Sequence, residues 1–337
     1  MDTVKVGVIG LGMGQAHLRG YEAGPRAKVV GVCDIDEERM AEVLEEREGI
    51  AAYTDYAELL AREDLQAVSI ALPNFLHAPV TIDALEAGKH VLCEKPMAMN
   101  AEEARRMKRT AEEAGLKLML HFNMRFMTTA ATVRPLMEAG KIGQVYHGTT
   151  TYTRRNGYPN PGTWFGLKEK SGGGPLIDLG VHRLDLALWL MGYPRPTAVI
   201  GGTYDLLARE KLGDVEFDCE DFSTAMIRFQ DEGTLYLTAS WDGHQAEQTE
   251  LTMSLYGTAG SVFERGGTLT YCTSEDGEPV ARELEEKEPE ESPQEHFVAA
   301  IQEDTPPGPS AEHGVIVMEI LDAIYESART GQPVSIG

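Results

Sequence analysis

The chain is poor in positive charge. Its 337 residues carry 54 Asp and Glu against 30 Lys and Arg, a formal charge of −24. Such a surface repels phosphate backbones and anionic lipid headgroups, which argues against nucleic acid and membrane partners. Cysteine is scarce as well, and Cys33, Cys93, Cys219 and Cys272 never fall at C-x-x-C spacing. Free, buried thiols in a reducing cytoplasm are the expectation. No apolar run approaches the length of a membrane span. The start lacks a signal-peptide pattern, since Asp2 is acidic and a strand is expected from Val4. No internal repeat or low-complexity segment stands out. A cytoplasmic protein follows as the expectation.

What is present is enough chain for two domains. Lys5-Val6-Gly7-Val8-Ile9 reads as a short buried strand. It runs into Gly10-Leu11-Gly12-Met13-Gly14, where glycines allow backbone N–H groups to approach a pyrophosphate at a helix N-terminus. The match to G-x-G-x-x-G is imperfect, because the third glycine comes one place early and Gln15 takes its position. A second strand, Lys28 to Cys33, ends in Asp34, followed by Ile35. A carboxylate there accepts hydrogen bonds from adenosine ribose hydroxyls and repels a 2′-phosphate, which predicts NAD over NADP. Arg39 would offset part of that repulsion.

The alternation of apolar strands with helical segments continues to Phe122. It requires a parallel sheet with helices on both faces, a doubly wound α/β domain over residues 1–122. Ligands bind such sheets beyond the carboxyl ends of the strands. Gly10–Gly14, Asp34, Pro73-Asn74 with His77, Glu94-Lys95 and Asn123 all fall there. The stretch Val91-Leu92-Cys93-Glu94-Lys95-Pro96 is the pivot: a buried strand ending in a charged pair set by proline. Pro96 biases Lys95 toward extended backbone, and the 95–96 bond is a candidate cis peptide.

Residues 123–337 read as a second α/β domain, whose last helix could pack back on the first. Gln144 to Arg154 is strand-like, as are 222–229, 234–241, 249–256 and 268–272, which suggests antiparallel strands. Glu275 to Glu291 is mostly acidic and reads as a solvated edge or loop. The loop from Arg154 to Trp164, with Arg155 and Tyr158, joins polar to aromatic groups as sugar sites do, and Asn123 and Arg125 are expected to help shape that pocket. After Ser171-Gly172-Gly173-Gly174, the residues Asp178, His182, Asp185 and Trp189 fall on one face of a helix at α-helical spacing. A histidine held by carboxylates can move protons near neutral pH. Two solvated acids flanking a core histidine would give the same pattern. No second histidine stands at metal-ligand spacing, so no metal is expected.

With the glycine turn and His17, Pro73-Asn74 with His77, Glu94-Lys95-Pro96 and Gly172-Gly173-Gly174 followed by Asp178, Gly180, His182, Asp185 and Trp189, the chain resembles the Gfo/Idh/MocA oxidoreductases over nearly its full length. The resemblance implies a Rossmann domain followed by an α/β domain with an open, mainly antiparallel sheet. It implies pairing through that sheet as a homodimer or homotetramer. It places Lys95, Asp178 and His182 around the reacting carbinol of a small polyhydroxylated substrate, a sugar, glycoside or cyclitol. His182 is then the general base, aided by Asp178 or Asp185, and Lys95 stabilises the developing alkoxide. Two other readings stay open: an enzyme that retains its nicotinamide and shuttles hydride between sugars, and a non-catalytic dinucleotide sensor.

Overall fold

A computed structural model describes residues 3–337. The chain forms two compact units, each built from two segments. One holds the residues up to His121 with Glu291–Val315, the other Phe122–Glu290 with Ile316–Gly337.

The first unit contains a six-stranded sheet: β1 (Val4–Ile9), β2 (Ala27–Cys33), β3 (Ala51–Tyr53), β4 (Ala67–Ile70), β5 (His90–Cys93) and β6 (Leu118–Leu120). All pairings are parallel and the order is β3-β2-β1-β4-β5-β6. The order reverses between β1 and β4, which opens a crevice there. The strands are short and apolar because both faces are covered, and Val6, Val8, Val32, Val68 and Ile70 are inaccessible to solvent. Helices α1 (Gly14–Glu22), α2 (Glu37–Leu44), α3 (Tyr56–Leu60), α4 (His77–Glu86) and α5 (Ala101–Ala114) supply the crossovers. Asn100 caps α5, accepting from Glu103 N at 2.9 Å. Gly115 ends it in the left-handed conformation.

Register decides what the sheet presents. Cys33, Ile9, Ile70, Cys93 and Leu120 lie in one row across the sheet. Asp34, Gly10, Ala71, Glu94 and His121 therefore emerge one row further on. All five continue the ladder, with Asp34 N, Gly10 N, Ala71 N, Glu94 N and His121 N bonded to the strand on the adjacent row.

The second unit contains a nine-stranded sheet: β7 (Val145–Arg154), β8 (Pro196–Tyr204), β9 (Phe222–Phe229), β10 (Thr234–Ser240), β11 (Thr249–Gly257), β12 (Ser261–Arg265), β13 (Thr268–Glu275), β14 (Glu278–Glu283) and β15 (Val334–Ser335). The order is β14-β13-β12-β11-β7-β10-β9-β8-β15, and only β7 and β10 run parallel. Helices α6 (Thr128–Glu138), α7 (Lys168–Ser171), α8 (Val181–Leu190) and α9 (Leu206–Lys211) accompany it. Leu235, Leu237 and Ala239 of β10 point into the core with Trp241, while Thr234, Tyr236 and Thr238 point away. The acidic run from residue 275, read as a solvated edge or loop, contains β14, which is the edge strand of the sheet. Its side chains are mostly exposed, and charge at the edge prevents further pairing. Strand β12 also escaped the sequence pattern, being only five residues long.

Helices α10 (Pro293–Gln302) and α11 (Ala311–Thr330) close the chain. A capping box of Ser292 and Glu295 starts α10. The first unit takes α10 and the first turn of α11. Among the described residues no helix is long and apolar enough to cross a membrane.

Candidate active site

The glycine turn shows a cradle for a dinucleotide. Gly10 has φ +87, and a Cβ there would come 2.4 Å from the Ala71 carbonyl oxygen, so only glycine fits. Gly12 faces open space. Helix α1 begins at Gly14, directing its free N–H groups toward that opening. Asp34 is buried at the end of β2. Its Oδ2 accepts from Leu11 N at 2.6 Å and its Oδ1 from Asp36 N at 2.9 Å. These bonds tie the carboxylate to the glycine turn and fix its direction. Arg39 Nη1 lies 3.3 Å from Asp34 Oδ2 and Arg39 Nη2 pairs with Asp36. Met13 and Ile35 are strongly exposed on the same rim, although both are large and apolar. The residues present thus fit a dinucleotide: an open turn, oriented N–H groups, a fixed carboxylate and apolar side chains exposed beside it.

Pro73 leads into a one-turn helix at Asn74–Leu76. His77 is fully buried, and its ring faces two carbonyls, Pro96 O at 2.6 Å and Leu72 O at 2.8 Å. It joins the turn after β4 to the turn after β5 and keeps no nitrogen for a ligand. The Lys95–Pro96 bond is cis, as expected. Glu94 turns inward. One oxygen meets His17 Nε2 at 2.9 Å and His121 Nδ1 at 2.8 Å, and the other accepts from Lys95 N at 3.1 Å. These three side chains bring potential ligand atoms within 4.8 Å of one another, a convergence that ligand spacing along the chain did not reveal. Burial opposes ionisation of Glu94, but the charges and hydrogen bonds of His121 and His17 prevail and hold its carboxyl well below the usual range.

In the second unit the expected regular helix is interrupted. Leu176–Gly180 forms a π-turn, and α8 starts only at Val181. The wider turn departs from the even α-helical spacing assumed for Asp178. Asp178 Oδ2 accepts from Trp241 Nε1 at 2.9 Å. Trp241 is fully buried and packs edge-on against Tyr158 and Phe217. His182 follows in the first turn of α8, partly exposed. Asp185 goes elsewhere. It is fully buried and takes a two-pronged ion pair from Arg125, at 2.9 and 2.6 Å. Arg125 also lies over the rings of Phe122, Trp189 and Tyr193. The expected substrate contact from Arg125 and the expected help from Asp185 are thereby replaced by a structural pair, because each satisfies the other's buried charge.

Asn123 keeps its Oδ1 buried and without a hydrogen-bond partner among the described residues. That suits a group reserved for a ligand. Arg155 is bound to the carbonyls of Gln245 and Ala246. Trp164 stacks on Phe165 with ring centroids 3.9 Å apart. Trp241 was not anticipated, since nothing local in the sequence links it to Asp178, 63 positions earlier.

The family model GFO_IDH_MocA, an oxidoreductase family with an NAD-binding Rossmann fold, matches residues 4–122. Its companion, the oxidoreductase family C-terminal alpha/beta domain, matches residues 134–336. The chain belongs to the Gfo/Idh/MocA oxidoreductase family. Among curated relatives, the D-glucoside 3-dehydrogenase of Escherichia coli K12 is 32% identical, the match covering 99% of this chain and 98% of that protein. The D-xylose 1-dehydrogenase [NADP(+)] of Haloarcula marismortui is 26% identical over 99% of this chain and 94% of its own. Among solved structures, a levoglucosan dehydrogenase in complex with NADH and L-sorbose superposes with a TM-score of 0.90 at 27% identity, covering 100% of both chains. Both halves of this Gfo/Idh/MocA protein are therefore accounted for, and the resemblance noted from its motifs holds.

Proposed function

We propose that the protein is an NAD-dependent dehydrogenase that oxidises a secondary alcohol of a sugar, glycoside or cyclitol. The observation that carries this is the pairing of a dinucleotide cradle with a separate carboxylate–histidine turn, Asp178 held by Trp241 ahead of His182. The names of the relatives support a sugar or glycoside as substrate. Oxidation of a carbinol needs an acceptor for hydride and a base for the hydroxyl proton. Nicotinamide supplies the acceptor when bound. His182 takes the proton, with Asp178 stabilising the charge that it gains. Lys95 donates a hydrogen bond to the substrate oxygen as negative charge develops on it.

The test is incubation with NAD and a panel of glycosides, anhydrosugars, aldoses and cyclitols, following NADH absorbance. Turnover on one group supports the proposal. Silence across the panel by protein shown to bind NADH overturns it in favour of an enzyme that retains its nicotinamide or of a sensor.

NAD is the proposed cofactor. A 2′-phosphate would meet the fixed Asp34 carboxylate, and Arg39 is already occupied with Asp34 and Asp36. NADH is expected to bind at least about tenfold more tightly than NADPH, and Asp34→Ala to erase most of that preference. Fluorescence titrations with both cofactors check this, and equal affinities in the parent protein would reject NAD selectivity.

The outer face of the large sheet suits a second copy of the chain. Tyr236, Ile200 and Tyr204 are exposed there among Thr and Met side chains, on a protein otherwise dense in acid. Sedimentation velocity should show a dimer or tetramer, and Tyr236→Glu should shift it to smaller species. A monomeric parent protein would dismiss the pairing.

A further inference from the structure

Behind Lys95 runs a chain of polar side chains drawn from five elements of the first unit. Tyr21 and His17 are one turn apart on α1, Ser69 is on β4, Glu94 and His121 follow β5 and β6, and Gln294 is on α10. Tyr21 Oη lies 2.7 Å from Ser69 Oγ, which lies 3.0 Å from His17 Nδ1. At the other end, Gln294 Nε2 lies 3.2 Å from His121 Nε2. Gly20 makes room for Gln294, since a Cβ there would meet its amide oxygen at 2.4 Å. All six side chains are buried, as the core of a Rossmann sheet normally is with apolar groups.

With neutral imidazoles, the partners set the direction of each hydrogen bond. The Gln294 amide donates, so His121 Nε2 accepts and the proton of that ring sits on Nδ1, pointing at Glu94. The Tyr21 hydroxyl donates to Ser69, and the Ser69 hydroxyl donates to His17 Nδ1. That leaves the His17 proton on Nε2, also pointing at Glu94. Both rings thus donate to one carboxylate oxygen. Burial, reinforced by the neighbouring His121, lowers the pKa of His17, which agrees with a neutral ring. The second oxygen of Glu94 remains for the peptide N–H of Lys95.

We propose that Glu94 is a positioning residue: His17 and His121 pin one of its oxygens so that the other holds the Lys95 peptide and thereby aims the Lys95 side chain. This rests on the reading above that Lys95 acts on the substrate oxygen. A glutamine at 94 could not replace it. An amide has one oxygen, and its NH2 group would face either two imidazole donors or the Lys95 N–H.

The test uses the full chain, NAD and the panel substrate with the fastest turnover. Glu94→Gln is expected to lower kcat by about 10–100-fold, with KM for substrate and the dissociation constant for NADH within about twofold of the parent. Should that variant fail to fold, the pair His121→Asn and His121→Leu decides. Asparagine places an N–H near the Nδ1 position and should retain most activity, whereas leucine should lose as much as Glu94→Gln. Long-range 1H–15N spectra of the parent protein give a readout without substrate: His17 as the Nε2–H tautomer and His121 as the Nδ1–H tautomer. Reversed tautomers, equal activity of the two His121 variants, or normal kcat in Glu94→Gln while Lys95→Ala is inactive would each overturn the positioning role alone. Normal turnover by Lys95→Ala would overturn the functional reading and this proposal with it. A rise in melting temperature on adding zinc chloride would assign the three side chains to a cation instead.

Discussion

Lys95→Ala lowers kcat by roughly 10²–10⁴-fold and leaves NADH binding nearly unchanged, the range expected when a positioned donor to a developing oxyanion is removed. Lys95 is the first residue beyond the row in which β5 leaves the sheet, and the backbone on both sides is held independently of its side chain. Glu94 N bonds to Ile70 O, and Pro96 O is bound by the His77 ring. Deleting the ammonium therefore leaves the turn in place. The dinucleotide cradle at Gly10–Gly14 and Asp34 involves none of its atoms. Lys95→Arg should recover little, because a planar guanidinium cannot present its donors from the position of a compact ammonium. Steady-state kinetics with NADH fluorescence titration separate the effects. A kcat within about threefold of the parent would remove Lys95 from the chemistry.

Arg125→Ala destabilises the protein by about 3–5 kcal/mol, since it leaves a buried carboxylate without its counter-charge. Asp185 is inaccessible to solvent, and the Arg125 side chain is 2% exposed. The remaining partner of Asp185, the Tyr193 hydroxyl, offers a single donor. Part of the cost is lost packing, because the guanidinium also lies 5.6 Å from the Trp189 ring centroid and 5.3 Å from that of Tyr193. The double replacement Arg125→Met with Asp185→Leu should restore most of the stability, as an apolar pair of similar volume avoids the desolvation penalty altogether. Chemical denaturation of the single and double variants measures the coupling. An Arg125→Ala variant as stable as the parent would show that the pair carries no net weight.

The sequence made the Rossmann half legible because its signals are local. A strand, a glycine turn and a carboxylate one strand later lie within the first 34 residues, and each β-α repeat announces the next. The irregular spacing at Gly14 did not matter, since the helix simply starts there. The helix carrying Asp178 and His182 was harder. A π-turn has no residue signature, so the even spacing hid the break before α8, and nothing local showed that Asp185 pairs with Arg125. Long-range polar contacts were the least visible. His17 and Glu94 are 77 positions apart, and His121 and Gln294 are 173 apart. Each residue looked ordinary where it stood, and only the packing of α1 and α10 on the strand ends brought them to one place.

That last contact also bears on how the chain is made. The first unit needs Glu291–Val315, yet these residues are synthesised only after the whole insertion from Phe122 to Glu290. At translation rates of about 5–20 residues per second, that gap lasts roughly 8–34 s. For that interval the nascent nucleotide-binding half exists without Gln294, so the His121 ring lacks its donor and the groove beside Gly20 lies unfilled. The half that begins first is still unfinished when most of the other has been made. A ribosome-bound intermediate halted before residue 291 should therefore present an incomplete six-stranded unit, one for chaperones to shield rather than a domain already competent to bind its nucleotide.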